Sequence, residues 1–306
     1  VRFVDQLGFD SVWITEHHFV EDGYLPSFVA MAGAIAGITE RVQISSDVLL
    51  MPFQHPLRLA EDLAVLDNVS NGRMMLGVGL GYAPHEFRGF GIERRERVSR
   101  TEEALEVLRL AWTEDRFSFQ GKRFQFEDVS VRPRPVQDGG PPIWIAAMSE
   151  PGALRAARFG AHLLPQGDRA VVLDPWREAL QAEGRSPDDQ RVGIIRSCLV
   201  TDDPEALMPR IREAARYTGA IYADWIASDA TMSRQLESGR EHQRTIPQSW
   251  IVGDAEHCVS ELTAFIEEFG ITDVLLWGVP PGLAPEEMND SLERFAREVA
   301  PRVRAL

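Results

Sequence analysis

Short runs of consecutive apolar residues alternate along most of this chain with longer stretches in which apolar positions recur every three or four residues. The first pattern predicts strands buried on both faces, and the second predicts helices that cover them. Strands are expected at residues 11–15, 42–50, 74–78, 143–147, 161–164, 192–200 and 273–277. Helices are expected at 28–39, from Pro56 to Asn71-Gly72, at 101–112, 152–159, from Pro204 onward, and at 258–269 and 285–299. Pro56 opens its helix as a first-turn proline, with Leu59, Leu63 and Leu66 on one face, and Leu105, Leu108 and Trp112 form the apolar face of the 101–112 helix.

Seven strands separated by helices predict an α/β fold, a (β/α)8 TIM barrel whose first strand is missing; a doubly wound open sheet is the alternative. Val1, Val4 and Leu7 fall at helical spacing before Gly8, so the chain is expected to begin inside a helix, as an N-terminally truncated single domain over 1–306. Two segments depart from the repeat. Alternation around Gly121-Lys122 predicts a β-hairpin insertion at about 116–128, and residues 211–246 read as a polar, irregular excursion or lid.

Charge narrows the partners. With 47 acidic against 32 basic side chains and a net charge of −15, the surface repels phosphate backbones, and nucleic acid is not expected. No apolar run reaches the ~18 residues of a membrane span, and no signal peptide is visible. Cys198 and Cys258 are too few for a disulfide framework or cysteine metal cluster, which fits a reducing cytoplasm, the compartment expected, or leaves the compartment open.

If the barrel closes, Glu16-His17-His18, Ser46-Asp47, Gly79 to Tyr82, Met148-Ser149 and Gly278 all lie at C-terminal strand ends, where such barrels carry their sites. Alternation of side chains lets one of the two histidines point into the mouth, and His17 is the choice, an imidazole suited to acid/base work near neutral pH. No further ligands recur at metal spacing, so no metal is expected. Gly77-Val-Gly-Leu-Gly lacks the spacing of a dinucleotide loop; small residues there would let a flat ligand lie against the strand end, or simply permit a tight turn. Ser149 opens a helix with free backbone N–H groups, which is a cap and also a place for an anion.

Glu16-His17-His18-Phe19, the run from Leu49 to Asp62, and Asn71-Gly-Arg through Gly77-Val-Gly-Leu-Gly-Tyr to Glu86-Phe87 together resemble the bacterial luciferase-like family of flavin-dependent monooxygenases. The resemblance covers essentially the whole chain and implies a TIM barrel. It implies reduced FMN supplied by a separate flavin reductase, reaction with O2 to a flavin C4a-hydroperoxide, and oxygenation of a small organic substrate (EC 1.14). By the same resemblance His17 is catalytic; Ser46, Asp47 and Val48 match the segment with a non-proline cis peptide under the flavin ring; Leu80, Gly81 and Tyr82 flank the flavin; and Met148, Ser149 and Glu150 match the phosphate turn. Leu80 stands where luciferase has a phosphate-reaching arginine, and Met148 and Gly152 replace acidic and threonine positions. Phosphate holding would therefore fall on Ser149 and its helix terminus. F420-dependent relatives, which transfer hydride without O2, are the first alternative and a non-catalytic flavin-binding protein the second. A homodimer packed through the 56–70 helix is expected from the family.

Overall fold

The first strand, β1 (Ser11–Ile14), pairs in parallel with β2 (Gln43–Ser46), Ile14 opposite Ser46. A bridge from Ile44 to Met74 continues the ladder, and β3 (Leu49–Leu50), β4 (Leu76–Gly79) and β7 (Ile143–Ala147) extend it in parallel order. The computed structural model describes residues 1–166, 169–227 and 250–306. They group into two units, Val1–Ala147 with Arg155–His162, and Met148–Leu154 with Leu163–Leu306.

The helices of the first unit form where their caps and apolar faces demand. The opening helix α1 (Arg2–Leu7) ends on Gly8 at φ 83°, a left-handed turn that glycine adopts without a Cβ clash. Ser27 caps α2 (Phe28–Ala36) by accepting the Ala30 N–H. Helix α3 (Pro56–Ser70) buries Leu59, Leu63 and Leu66 and closes on Asn71 at φ 56°. Arg73 then gathers the ends of α2 and α3, donating to the carbonyls of Ala36, Thr39, Val42 and Ser70. After α4 (Pro84–Phe90), α5 (Arg97–Thr113) buries Leu105, Leu108 and Trp112, whose indole N–H donates to Ala60 on α3 at 3.2 Å. Phe117 to Val129 forms an antiparallel hairpin, β5 (Phe117–Gln120) and β6 (Gln125–Val129).

In the second unit, α6 (Glu150–Arg158) begins within Met148–Leu154, and β8 (His162–Pro165) leads to α7 (Arg169–Ala182). Strand β9 (Gly193–Ile195) pairs with β12 (Asp273–Leu275), whereas β10 (Cys198–Val200) pairs with β11 (Ile251–Gly253). Helix α8 (Pro204–Ala227) packs Ile211 against Leu199 and Met288, and α9 (Ala255–Phe269) is capped by Asp254.

Three expectations change. The single strand expected over 42–50 is two, because the chain turns at Asp47 and Val48, whose peptide bond is cis. The strand expected over 192–200 is likewise two, since β9 and β10 serve different partners across the break at Arg196 and Ser197. The excursion expected over 211–246 is regular α-helix through Ala227, and its remainder lies outside the described residues.

Candidate active site

At the C-terminal ends of β1, β2 and β4 the first unit gathers four buried ionisable groups and their aromatic neighbours. The chain leaves β1 into Glu16, His17 and His18, all less than a tenth exposed. Pro84 starts α4 and places Glu86 in its first turn, fully buried. Glu86 Oε1 lies 3.0 Å from His17 Nδ1 and accepts the backbone N–H of His18 at 3.0 Å. Glu86 Oε2 is buried with no hydrogen-bond partner.

The two histidines have different company. His17 meets the rings of Tyr24 and Tyr82 edge-on, at 5.0 and 6.0 Å between centroids. Burial first, and then the charges of Glu86 and Tyr24, push the Tyr82 phenol upward, so it stays a neutral hydroxyl. His18 turns toward phenylalanine, edge-on to Phe90 at 4.7 Å and Phe53 at 6.1 Å, and its Nε2 lies 3.4 Å from Glu16 Oε1.

Glu16 is a structural staple. Its Oε2 accepts the N–H of Phe28, the first residue of α2, at 3.1 Å, and its Oε1 accepts the N–H of Leu50 on β3 at 3.3 Å. The carboxylate that opens the Glu-His-His motif thus holds two backbone N–H groups and lies beside His18, and the carboxylate beside His17 comes from 69 residues downstream.

The remaining predicted residues fall in two places. Ser46 is buried and donates its hydroxyl to the Gly77 carbonyl on β4 at 2.6 Å. Val48 lies over Gly79, where a Cβ would sit 2.4 Å from Val48 Cγ2, so the bare glycine makes room for valine. Leu80, Gly81 and Tyr82 follow β4, half-buried, with Gly81 at φ 66°. Met148, Ser149 and Glu150 belong to the second unit, where the Ser149 carbonyl accepts the Gly152 and Ala153 N–H groups as α6 begins. Tyr24 and Glu86 were not singled out as site residues. Glu86 has a faint sequence signal as an acid in a helix's first turn, but its reach to His17 is tertiary.

Asp47 is half-buried beside the cis peptide, and loss of water pushes its carboxyl up to about 7. The native state holds this proton to pH near 7, whereas the unfolded chain releases it near 3.8, so the group lowers stability as pH rises between those values. Asp47→Asn is expected to match the parent in urea unfolding at pH 4 and to exceed it at pH 8 by about 2 kcal/mol. An unchanged difference between the two pH values would show that Asp47 is not the group responsible.

A family model described as luciferase-like monooxygenase matches residues 1–273. The chain belongs to the luciferase-like monooxygenase family. Among curated proteins, uncharacterized protein y4vJ of Sinorhizobium fredii is 32% identical to this luciferase-like chain over 205 residues, 65% of the chain; the chain spans 58% of that relative's length. The F420-dependent glucose-6-phosphate dehydrogenase of Amycolatopsis mediterranei is 27% identical over 325 residues, 99% of the chain and 92% of that protein. Among solved structures, monooxygenase RslO1 from Streptomyces bottropensis matches with TM-score 0.84 at 27% identity, covering 98% of this chain and 90% of its own. The fold is the TIM barrel of the luciferase-like proteins. No helix among the described residues is long and apolar enough to cross a membrane.

Proposed function

We propose that this luciferase-like chain is a monooxygenase that uses reduced FMN and O2 on a small organic substrate, with His17 as the catalytic acid/base. The observation that carries this reading is the His17 environment: an imidazole bonded at Nδ1 to a buried carboxylate, between two tyrosines, at the C-terminal ends of parallel strands. Such a group sits where this fold carries its chemistry and can move protons near neutral pH.

The residues present suit a flavin. The cis peptide at Asp47 and Val48, backed by Gly79, and the neutral phenol of Tyr82 offer a flat, largely uncharged setting for a ring. Bound reduced flavin would supply the electrons that activate O2. The chain's own part is to hold the ring against residues 46–48 and 80–82, to give or take a proton at His17, and to keep water out with Tyr24 and the Phe53, Phe87 and Phe90 cluster. In this reading Met148, Ser149 and Glu150 keep the phosphate role given by the family resemblance, and a separate reductase delivers the flavin.

A second reading is a deazaflavin dehydrogenase, favoured by the F420-dependent relative that aligns over 99% of the chain. Anaerobic titration of the purified protein with reduced FMN and with reduced F420 separates the two. Binding of reduced FMN, with a changed rate of its reoxidation by O2, is expected. Binding of F420 alone, with no effect of O2, would replace the first reading by the second. Bound flavin without any effect on its reoxidation would point instead to a non-catalytic flavin carrier. The same sample is expected to scatter light as a dimer, since Met31 on α2 and Val65 and Val69 on α3 are exposed apolar side chains on neighbouring helices; a monomeric mass would remove the dimer.

A further inference from the structure

The chain has two cysteines, far apart in sequence, and folding brings them together inside the second unit. Cys198 opens β10 and Cys258 lies near the start of α9; both are buried and reduced. The Cys258 sulfur is 3.7 Å from the Leu199 carbonyl and 3.6 Å from the Gly253 carbonyl, so it faces β10 and β11. It also forms a side-chain hydrogen bond with the Cys198 thiol. One buried thiol is ordinary core filling. Two in contact are different, because losing two hydrogens turns the contact into a bond.

The backbone that carries the sulfurs is fixed independently of them. Strands β10 and β11 run in parallel register, Cys198 opposite Ile251 and Val200 opposite Gly253, and the Ser291 hydroxyl accepts the Val200 N–H at 2.9 Å. Asp254 caps α9 by accepting the His257 N–H at 2.8 Å. Gly253 must be bare for this seating, since a Cβ there would meet the His257 ring at 2.7 Å. The start of α9 therefore rests on the strand pair, and the meeting of the two thiols is built in rather than left to diffusion.

We propose that Cys198 and Cys258 are a site of oxidation by hydrogen peroxide, which joins them in a disulfide between β10 and α9. One sulfur, as its thiolate, attacks a peroxide oxygen; the O–O bond breaks, the departing hydroxide takes up the proton and leaves as water, and the sulfur becomes a sulfenic acid. The second sulfur attacks the first, and its proton leaves with the sulfenic hydroxyl as a second water. Two thiols and one peroxide give one disulfide and two waters, the two electrons passing from sulfur to peroxide. Burial closes the pair to bulky reagents, whereas hydrogen peroxide is little larger than water. On the function proposed above, peroxide is also what O2 becomes when no substrate takes its oxygen, but the site stands without that source.

Mass spectrometry tests it on the unaltered protein. Native protein is exposed to hydrogen peroxide near neutral pH, quenched with catalase and unfolded in iodoacetamide. The expected product is lighter than the reduced protein by two hydrogens, carries no alkylated cysteine and yields a peptide pair joined at 198 and 258; dithiothreitol should return two alkylatable thiols. Cys198→Ser and Cys258→Ser should each abolish the two-hydrogen loss. Two alkylated cysteines after a dose that fully oxidises free glutathione would overturn the proposal, as would sulfinic acids without a cross-link or a disulfide between two chains. The mass of the unaltered protein decides even if neither variant folds. A cross-linked pair in a protein that binds no reduced flavin leaves this site standing and removes the function proposed above.

Discussion

His17→Ala is expected to lower turnover by about 100-fold or more, equivalent to about 2.7 kcal/mol of lost transition-state stabilisation. The ring of His17 lies against two phenols and the Glu86 carboxylate, whereas His18 is packed among phenylalanines with its Nε2 toward Glu16. Loss of the ring also removes the His17 contact of Glu86, while the His18 N–H still donates to that carboxylate. The local backbone therefore keeps its anchor, and the variant should fold with an unchanged circular dichroism spectrum. Steady-state kinetics with reduced FMN, or with F420 if that is the cofactor, measure the effect. Turnover within a few-fold of the parent would show that His17 does no acid/base work. His18→Ala supplies the contrast: it removes aromatic packing, so its larger effect should be on stability rather than on kcat.

Glu16→Ala is expected to destabilise the protein by about 3 kcal/mol in urea unfolding. Its carboxylate ties together three elements, accepting from Phe28 at the start of α2 and from Leu50 on β3 while standing at the end of β1. Removal leaves two buried backbone N–H groups without acceptors, each costing about 1–3 kcal/mol. Glu16→Gln should recover part of the loss, since one amide oxygen can still accept. A Glu16→Ala protein as stable as the parent would mean that water or a neighbouring side chain takes over both bonds. Read together, the Glu16 and His17 variants test whether the first and second residues of one motif divide into a structural and a chemical role.

Much of the architecture was legible because its causes are local. The face of α3 with Leu59, Leu63 and Leu66, the proline at its start and the left-handed Asn71 at its end all follow from spacing and from what those residues permit. The apolar face of α5 followed in the same way. The breaks at Asp47-Val48 and Arg196-Ser197 were not legible, because a continuous apolar run looks the same whether it pairs with one neighbour or is shared between two. The role of Arg73 was equally hidden, since its four carbonyl acceptors come from the ends of different elements.

The sequence by itself determined the alternation of strands and helices, the Glu-His-His motif at a strand end and the family likeness, all of which depend on residue type and near-neighbour spacing. Only the tertiary structure decided that Glu16 is a staple and that Glu86, distant in the chain, is the carboxylate on His17. It likewise showed that Gly79 is bare for the sake of Val48. The physical reason is the same in each case. Periodicity tells which face of an element is buried, but the partner of a buried polar atom or the neighbour of a missing Cβ is set by segments that meet only on folding.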